Sequence, residues 1–222
     1  ILGEAAAALA LAGQVEAAKQ WYAQAVQTDA EVEWSDPNLS DFYPESFHHD
    51  DLAFAATALW RATGDAQYLA QAGDQLRAGD ENELYGGITV GAPRALVAAD
   101  LCGGLGAPAA PDPDIRALAC ADVGRTMDAI RERAAERAFG SPGIYTFGFI
   151  QDNCAAGVLA AAGQRAGVTG DGLRIAAAAR DYLRGRNQWG RSFVVGTKSY
   201  EAHNPHHSAY LEGRPARLRT SL

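Results

Sequence analysis

The chain has 222 residues, 48% of them hydrophobic, which is enough to bury one substantial core. Its formal net charge of -8 leaves no basic face to displace counterions from nucleic acid or to grip an anionic membrane, so a neutral or small partner is expected. No apolar run approaches the roughly 18 residues of a membrane span, and Ile1 opens neither the n-region nor the h-region of a signal peptide. The sole methionine is Met127, so Ile1 is not expected to be the natural start of the gene product. Cys102, Cys120 and Cys154 are widely spaced and odd in number; they suggest neither a disulfide framework nor a zinc pattern, and all three are expected to lie buried in helices.

In chain order the sequence alternates helices with turns. GEAAAALALAG and QVEAAKQWYAQAVQ are rich in strong helix formers with apolar residues at helical spacing, and they meet at a Gly-Gln turn at 13 and 14. A polar, proline-bearing loop follows. Leu52, Ala55, Ala56, Leu59 and Trp60 then mark the apolar stripe of a second hairpin, in which Gly64 ends the first helix and Asp65 caps the second. Residues 78 to 91 are Gly-rich and irregular, and PRALVAADL is a short helix after them. The prolines of GAPAAPDPD forbid helix until about Asp114, an apt N-cap for the longest helix, which runs to Phe139. Past the turn GSPGIYTFG, residues 151 to 185 form another hairpin, and RSFVVG is the one stretch that looks extended.

Two hairpins resemble each other. Thr63-Gly64-Asp65 and Thr169-Gly170-Asp171 stand at their turns, and each leading helix opens with an aromatic and an acidic pair or near-pair, Phe47 with Asp50-Asp51 and Phe149 with Asp152-Asn153. A repeated helical hairpin of this size predicts an α/α array, either an open solenoid or a closed toroid.

DYLRGRNQWGRSFVVG followed by NPHHS resembles the C-terminal half of the glycoside hydrolase family 9 catalytic domain, a family of inverting endoglucanases built on an (α/α)6 barrel. Asp181, Tyr182, Leu183, Gly185, Asn187, Gly190, Ser192, Phe193, Val194, Val195 and Gly196 fall on one family block, and Pro205, His206 and His207 on a later one at the family's spacing. Upstream, FHHDDLAFAATALWRATGDAQYL is similar to a third block, so residues 1 to 222 resemble one partial catalytic domain. The implied fold is all-α, part of an (α/α)6 barrel.

Two carboxylates carry the family's chemistry, and neither falls on this chain. The Asp-Ala-Gly-Asp motif that holds the nucleophilic water does not occur here, and the acid Glu belongs farther past the His-His motif than the residues after His207 extend. Glu201 and Glu212 match no family carboxylate. The resemblance makes His206 the contact to the sugar at the cleavage point, a surface or helix-capping role being the alternative, and it puts His207 beside it as a supporting residue. Tyr200, Arg191 and Trp189 complete the candidate substrate-binding set. The chain departs from the family pattern at Ser208 for Arg, Lys198 for Gly, Gln188 for Pro and at Tyr200; losing the Arg removes a fixed fork of donors, for which Arg191 and Arg214 are the candidate replacements.

Asp50 and Asp51 align with an Asp-Glu pair that ligates a structural Ca²⁺ in some family members, but an acidic first turn also serves the helix dipole, and that reading is preferred. No other cofactor is required. Trp21 and Trp60 are expected in the core, and Trp34 and Trp189 in loops, where either could stack on a pyranose ring. The implied partners are a β-glucan polysaccharide and the N- and C-terminal remainder of the same domain, with neither nucleic acid nor membrane, and the implied location is secreted. Two functions stay open, a family 9 endo-β-1,4-glucanase whose catalytic Asp and Glu lie outside these residues and a catalytically inactive carbohydrate-binding α/α toroid, with a different α/α-toroid glycosidase as a weaker third. In either case the isolated chain is expected to hydrolyse nothing and, as a partial barrel, to expose apolar helix faces.

Overall fold

A computed structural model describes residues 2–28, 48–79, 93–143, 149–194 and 196. Among them are eight α-helices, here α1 (Leu2–Leu11), α2 (Val15–Gln27), α3 (His49–Thr63), α4 (Ala66–Ala78), α5 (Arg94–Leu101), α6 (Pro113–Glu136), α7 (Phe149–Arg165) and α8 (Gly172–Leu183), with one 3-10 turn at Ala138–Gly140. They pair as four antiparallel hairpins, α1/α2, α3/α4, α5/α6 and α7/α8, and α1, α3, α5 and α7 also pack in succession on one another.

Burial explains which helix of each pair lies inside. On α3, Asp50 through Ala53 and Ala55 through Leu59 are all buried, leaving almost no solvent face, and α7 buries nine residues between Asp152 and Gly163 while Cys154 and Val158 stay exposed. Helices apolar all round belong in an interior. The outer helices bury one stripe only: Ala18, Tyr22 and Ala25 on α2, Leu69, Ala72, Gly73 and Leu76 on α4, and Gly172, Ile175, Ala179 and Tyr182 on α8. The result is an arc of an α/α barrel, in agreement with the all-α fold expected from the sequence.

Small residues set the helix spacing. A Cβ on Gly172 would lie 1.9 Å from the carbonyl oxygen of Ala160, and one on Gly3 would lie 2.7 Å from the backbone of Asp51. Alanine and glycine are thus what allow α8 to close on α7 and α1 on α3.

Several expectations hold in detail and several do not. Gly64 adopts φ +72° at the end of α3, and the Asp65 carboxylate accepts the Gln67 N–H at 2.9 Å. The second Thr-Gly-Asp works differently: Asp171 caps no N–H of α8, because Arg131 of α6 takes its carboxylate. The long helix begins before Asp114. Asp112 is its N-cap, accepting from the N–H groups of Asp114 and Ile115, and Pro113 occupies the first turn, where a proline loses no hydrogen bond. That helix ends at Glu136, and Phe139 sits in the 3-10 turn with φ +71°. RSFVVG forms no strand among its described residues, 191–194 and 196.

The cysteine expectation is overturned. Cys102, just after α5, and Cys120 on α6 form a disulfide, their Cα atoms 5.0 Å apart, while Cys154 is a free thiol on the exposed side of α7. Hairpin packing brings together two cysteines 18 residues apart, a proximity that linear spacing does not disclose. Trp21 is corrected too. It flanks the Ala18–Tyr22–Ala25 stripe and remains 43% exposed, whereas Trp60 is half-buried with the Arg61 guanidinium 4.1 Å over its ring. Exposed apolar side chains include Leu11, Val158 and Leu173.

Candidate functional site

Antiparallel hairpins sort the connections between the two ends of the bundle. The links 12–14, 64–65, 102–112 and 166–171 join inner to outer helices at one end. At the other end α2, α4 and α6 finish and α3, α5 and α7 begin, and the chain after Leu183 leaves from the same end. Recognition chemistry is commonly carried by irregular segments on a rigid scaffold, and the one after Leu183 holds Trp189 and Arg191, so this second end is the candidate site.

The first turns of the inner helices bring polar groups there. Glu4 of α1 has its carboxyl pushed up in pKa by burial and secondarily by the Asp51 charge. Asp50 and Asp51 open α3 and are 1% and 4% exposed; one Asp50 oxygen accepts the Asp51 N–H at 2.9 Å. Beside them His49 Nδ1 lies 2.7 Å from Gln75 Oε1 on α4, and the His48 and His49 rings are 4.4 Å apart. Arg94 begins α5 and pairs with Asp122 of α6 at 3.0 Å while donating to the Leu76 carbonyl at 2.8 Å. On α7, buried Asn153 accepts from the Ser141 hydroxyl at 2.9 Å and donates to the Ala179 carbonyl at 3.0 Å.

The Asp50 carboxylate thus takes up one N–H of the first turn of α3, whose N-cap, His48, makes no side-chain capping bond. The two carboxylates fall short of the six to eight oxygens Ca²⁺ takes, and among the described residues no group of three or more His, Cys, Asp or Glu could hold a metal. Cation ligation at Asp50 and Asp51 rests on the resemblance alone.

Past α8 the chain folds around Asn187. Its buried side chain donates to the carbonyls of Tyr182 at 2.7 Å and Arg191 at 2.8 Å, and its oxygen accepts the Trp189 N–H at 3.1 Å. The Tyr182 hydroxyl bonds Gln188 at 3.1 Å, and the Phe193 N–H returns to the Leu183 carbonyl at 2.8 Å. Aromatic rings buttress the knot: Phe149, Tyr182 and Phe193 lie in series at 5.4 and 6.3 Å, and Trp189 meets Phe193 edge-on at 5.7 Å. Trp189 is nevertheless 58% exposed, and Arg191 is exposed beside it. A fixed, open indole next to a guanidinium can stack on a sugar ring and donate to its oxygens.

Of the sequence-derived site residues, the structure brings Trp189 and Arg191 together on this knot and places Asp50 and Asp51 in a buried helix start at the same end. His206, His207 and Tyr200 lie outside the described residues, as do Trp34, Glu201, Glu212 and Ser208. Sequence reasoning missed Asn187 as the organiser of the loop; its one signal was a position on the quoted pattern. A cleft of about 540 Å³ lined by Leu105, Val158, Arg165 and Leu173 lies at the short-turn end, away from these groups.

The model of the family described as Glycosyl hydrolase family 9 matches residues 1–216. The chain belongs to glycosyl hydrolase family 9. Family 9 structures match it in fold as well. A metagenome-derived family 9 endoglucanase superposes with a TM-score of 0.77 at 24% identity, over 95% of this chain and 41% of that one. An endoglucanase of the termite Nasutitermes takasagoensis gives 0.73 at 23%, over 93% and 48%. A cellulase of C. cellulolyticum in complex with cellobiose gives 0.73 at 22%, over 96% and 52%. No curated protein sequence matches. This family 9 chain thus spans about half the length of the structures it matches, and its helices are part of an (α/α)6 barrel.

Proposed function

We propose that the parent protein hydrolyses β-1,4-glucosidic bonds in cellulose or a related β-glucan with inversion, and that residues 1 to 222 supply substrate-holding parts of its cleft. The observation that carries this reading is the family match, which extends over residues 1–216 and so includes Pro205-His206-His207. An inverting glycosidase needs two carboxyls about 6.5 to 9.5 Å apart, one to protonate the leaving oxygen and one to take a proton from the attacking water. In this proposal they come from parts of the domain outside the chain, and the isolated chain is inactive. Water attacks the anomeric carbon from the face opposite the leaving group, the glycosidic C–O bond breaks, and the leaving oxygen takes the acid's proton.

His206 holds sugar hydroxyls in the transition-state geometry, with His207 supporting it. Trp189 stacks on a neighbouring pyranose, and Arg191 and Tyr200 donate to its oxygens. The Cys102–Cys120 disulfide supports a secreted location, since such bonds persist in oxidising compartments. On soluble β-glucan, His206→Ala in the full natural chain is expected to lower kcat by more than about tenfold, as loss of a donor aimed at transition-state charge does. An unchanged kcat removes His206 from the mechanism. NMR of the first product formed should show the α-anomer; a β-anomer would refute inversion.

Ser208, where the family has Arg, favours one other reading: a carbohydrate-binding toroid without catalysis. Retention of β-glucan by the full natural chain with no reducing ends released would select it.

A further inference from the structure

The knot after α8 concentrates positive charge in an acidic protein. Residues 180 to 191 hold four arginines against one aspartate, in a chain of net charge -8. Asp181 is engaged by Arg180 at 2.7 Å, and no carboxylate among the described residues pairs with Arg184, Arg186 or Arg191. All three are exposed. Arg184 is the C-cap of α8, where a cation complements the negative end of the helix dipole. Arg186 and Arg191 lie beyond that end, so the dipole does not account for them.

Asn187 fixes their arrangement. By binding both the Tyr182 and the Arg191 carbonyls it draws the segment into a closed loop, in which Arg186 and Arg191 stand on either side of the exposed Trp189 along the chain.

We propose that this knot is a subsite for an acidic sugar: Trp189 stacks on the pyranose face while Arg186 and Arg191 pair with a carboxylate carried by the glycan. The favoured ligand is a uronic-acid-bearing or otherwise carboxylated β-glucan. The inference rests on the β-glucan reading and adds charge selection to it. A guanidinium fork matches a carboxylate bidentately, and an aromatic face holds any pyranose, so together they discriminate by charge without losing affinity for the ring.

The test compares binding of the full natural chain to carboxymethyl and hydroxyethyl β-glucan by affinity electrophoresis. Two exposed ion pairs predict a Kd ratio of about fivefold in favour of the carboxymethyl polymer at low ionic strength, falling towards unity near 0.5 M salt. In R186Q/R191Q the ratio should fall to about one, and in R186K/R191K a preference should remain, because the charge is kept. W189A should weaken both polymers and leave the ratio in place. Equal Kd values for the two polymers in the unmodified protein, or a preference that survives R186Q/R191Q, would overturn the acidic subsite while leaving the β-glucan reading intact. Binding to neither polymer overturns both.

Discussion

Arg94 and Asp122, almost wholly buried, pair at 3.0 Å across the hairpin formed by α5 and α6, and the same carboxylate also receives Arg125. The Arg94 guanidinium continues to the Leu76 carbonyl on α4, so one ion pair ties three helices beside the end of the bundle where the candidate site lies. Removing one partner leaves a buried charge uncompensated. Asp122→Ala is expected to cost about 3–5 kcal/mol and to lower Tm sharply, while an apolar replacement of both Arg94 and Asp122 should cost much less. Chemical denaturation of the two variants distinguishes the cases; equal losses would mean the pair acts through its volume and not its charge.

Gly172 tests the close contact of α7 and α8. Its missing Cβ would fall 1.9 Å from the Ala160 carbonyl oxygen, a backbone atom that no rotamer change can move aside. Gly172→Ala should therefore destabilise by about 3 kcal/mol, despite alanine being the better helix former. A Tm at or above that of the unmodified protein would show that α8 can slide outward freely.

The Cys102–Cys120 bond closes a loop of sequence separation 18, and the chain-entropy model gives it about 3 kcal/mol. Arg61 holds α5 through Asp100 at 3.1 Å and the loop through the Pro108 carbonyl at 2.8 Å, so reduction should loosen the segment without unravelling α5. Urea unfolding with and without reductant measures the loss. Coincident curves would mean that the bond contributes nothing to stability.

Acid stability should carry the mark of Asp171. The Arg131 guanidinium first, and then the Thr169 hydroxyl at 2.5 Å, hold its carboxyl down to a pKa of about 2 from an ordinary 3.8. A folded pKa below the unfolded one stabilises above about pH 4 and loses that contribution as pH falls towards 2. The site is partly exposed, so the effect is modest. In a series of melts, Asp171→Asn should lower Tm at pH 5, and the difference should vanish near pH 2. A difference independent of pH would assign Asp171 a role other than its charge.

Sequence period and punctuation made most of the fold legible. Apolar spacing located the helices, Gly13 and Gly64 marked turns by their positive φ, and Asp65 capped the helix it was expected to cap. These are local effects, decided within a turn or two of the chain. The repeated Thr-Gly-Asp shows where local reading fails: the same three letters cap a helix at Asp65 but are claimed at Asp171 by Arg131, a residue 40 positions away.

By itself, then, the sequence determined the helices, their pairing and the family, because backbone preferences, apolar period and motif spacing are written along the chain. Tertiary structure decided which helix of each pair is enclosed, that Cys102 meets Cys120, that Trp21 stays in water, and that Arg94 finds Asp122. Each of those outcomes depends on a neighbour brought in from a different helix or loop, and the energy of burying a charge, a thiol or a ring is set by that neighbour.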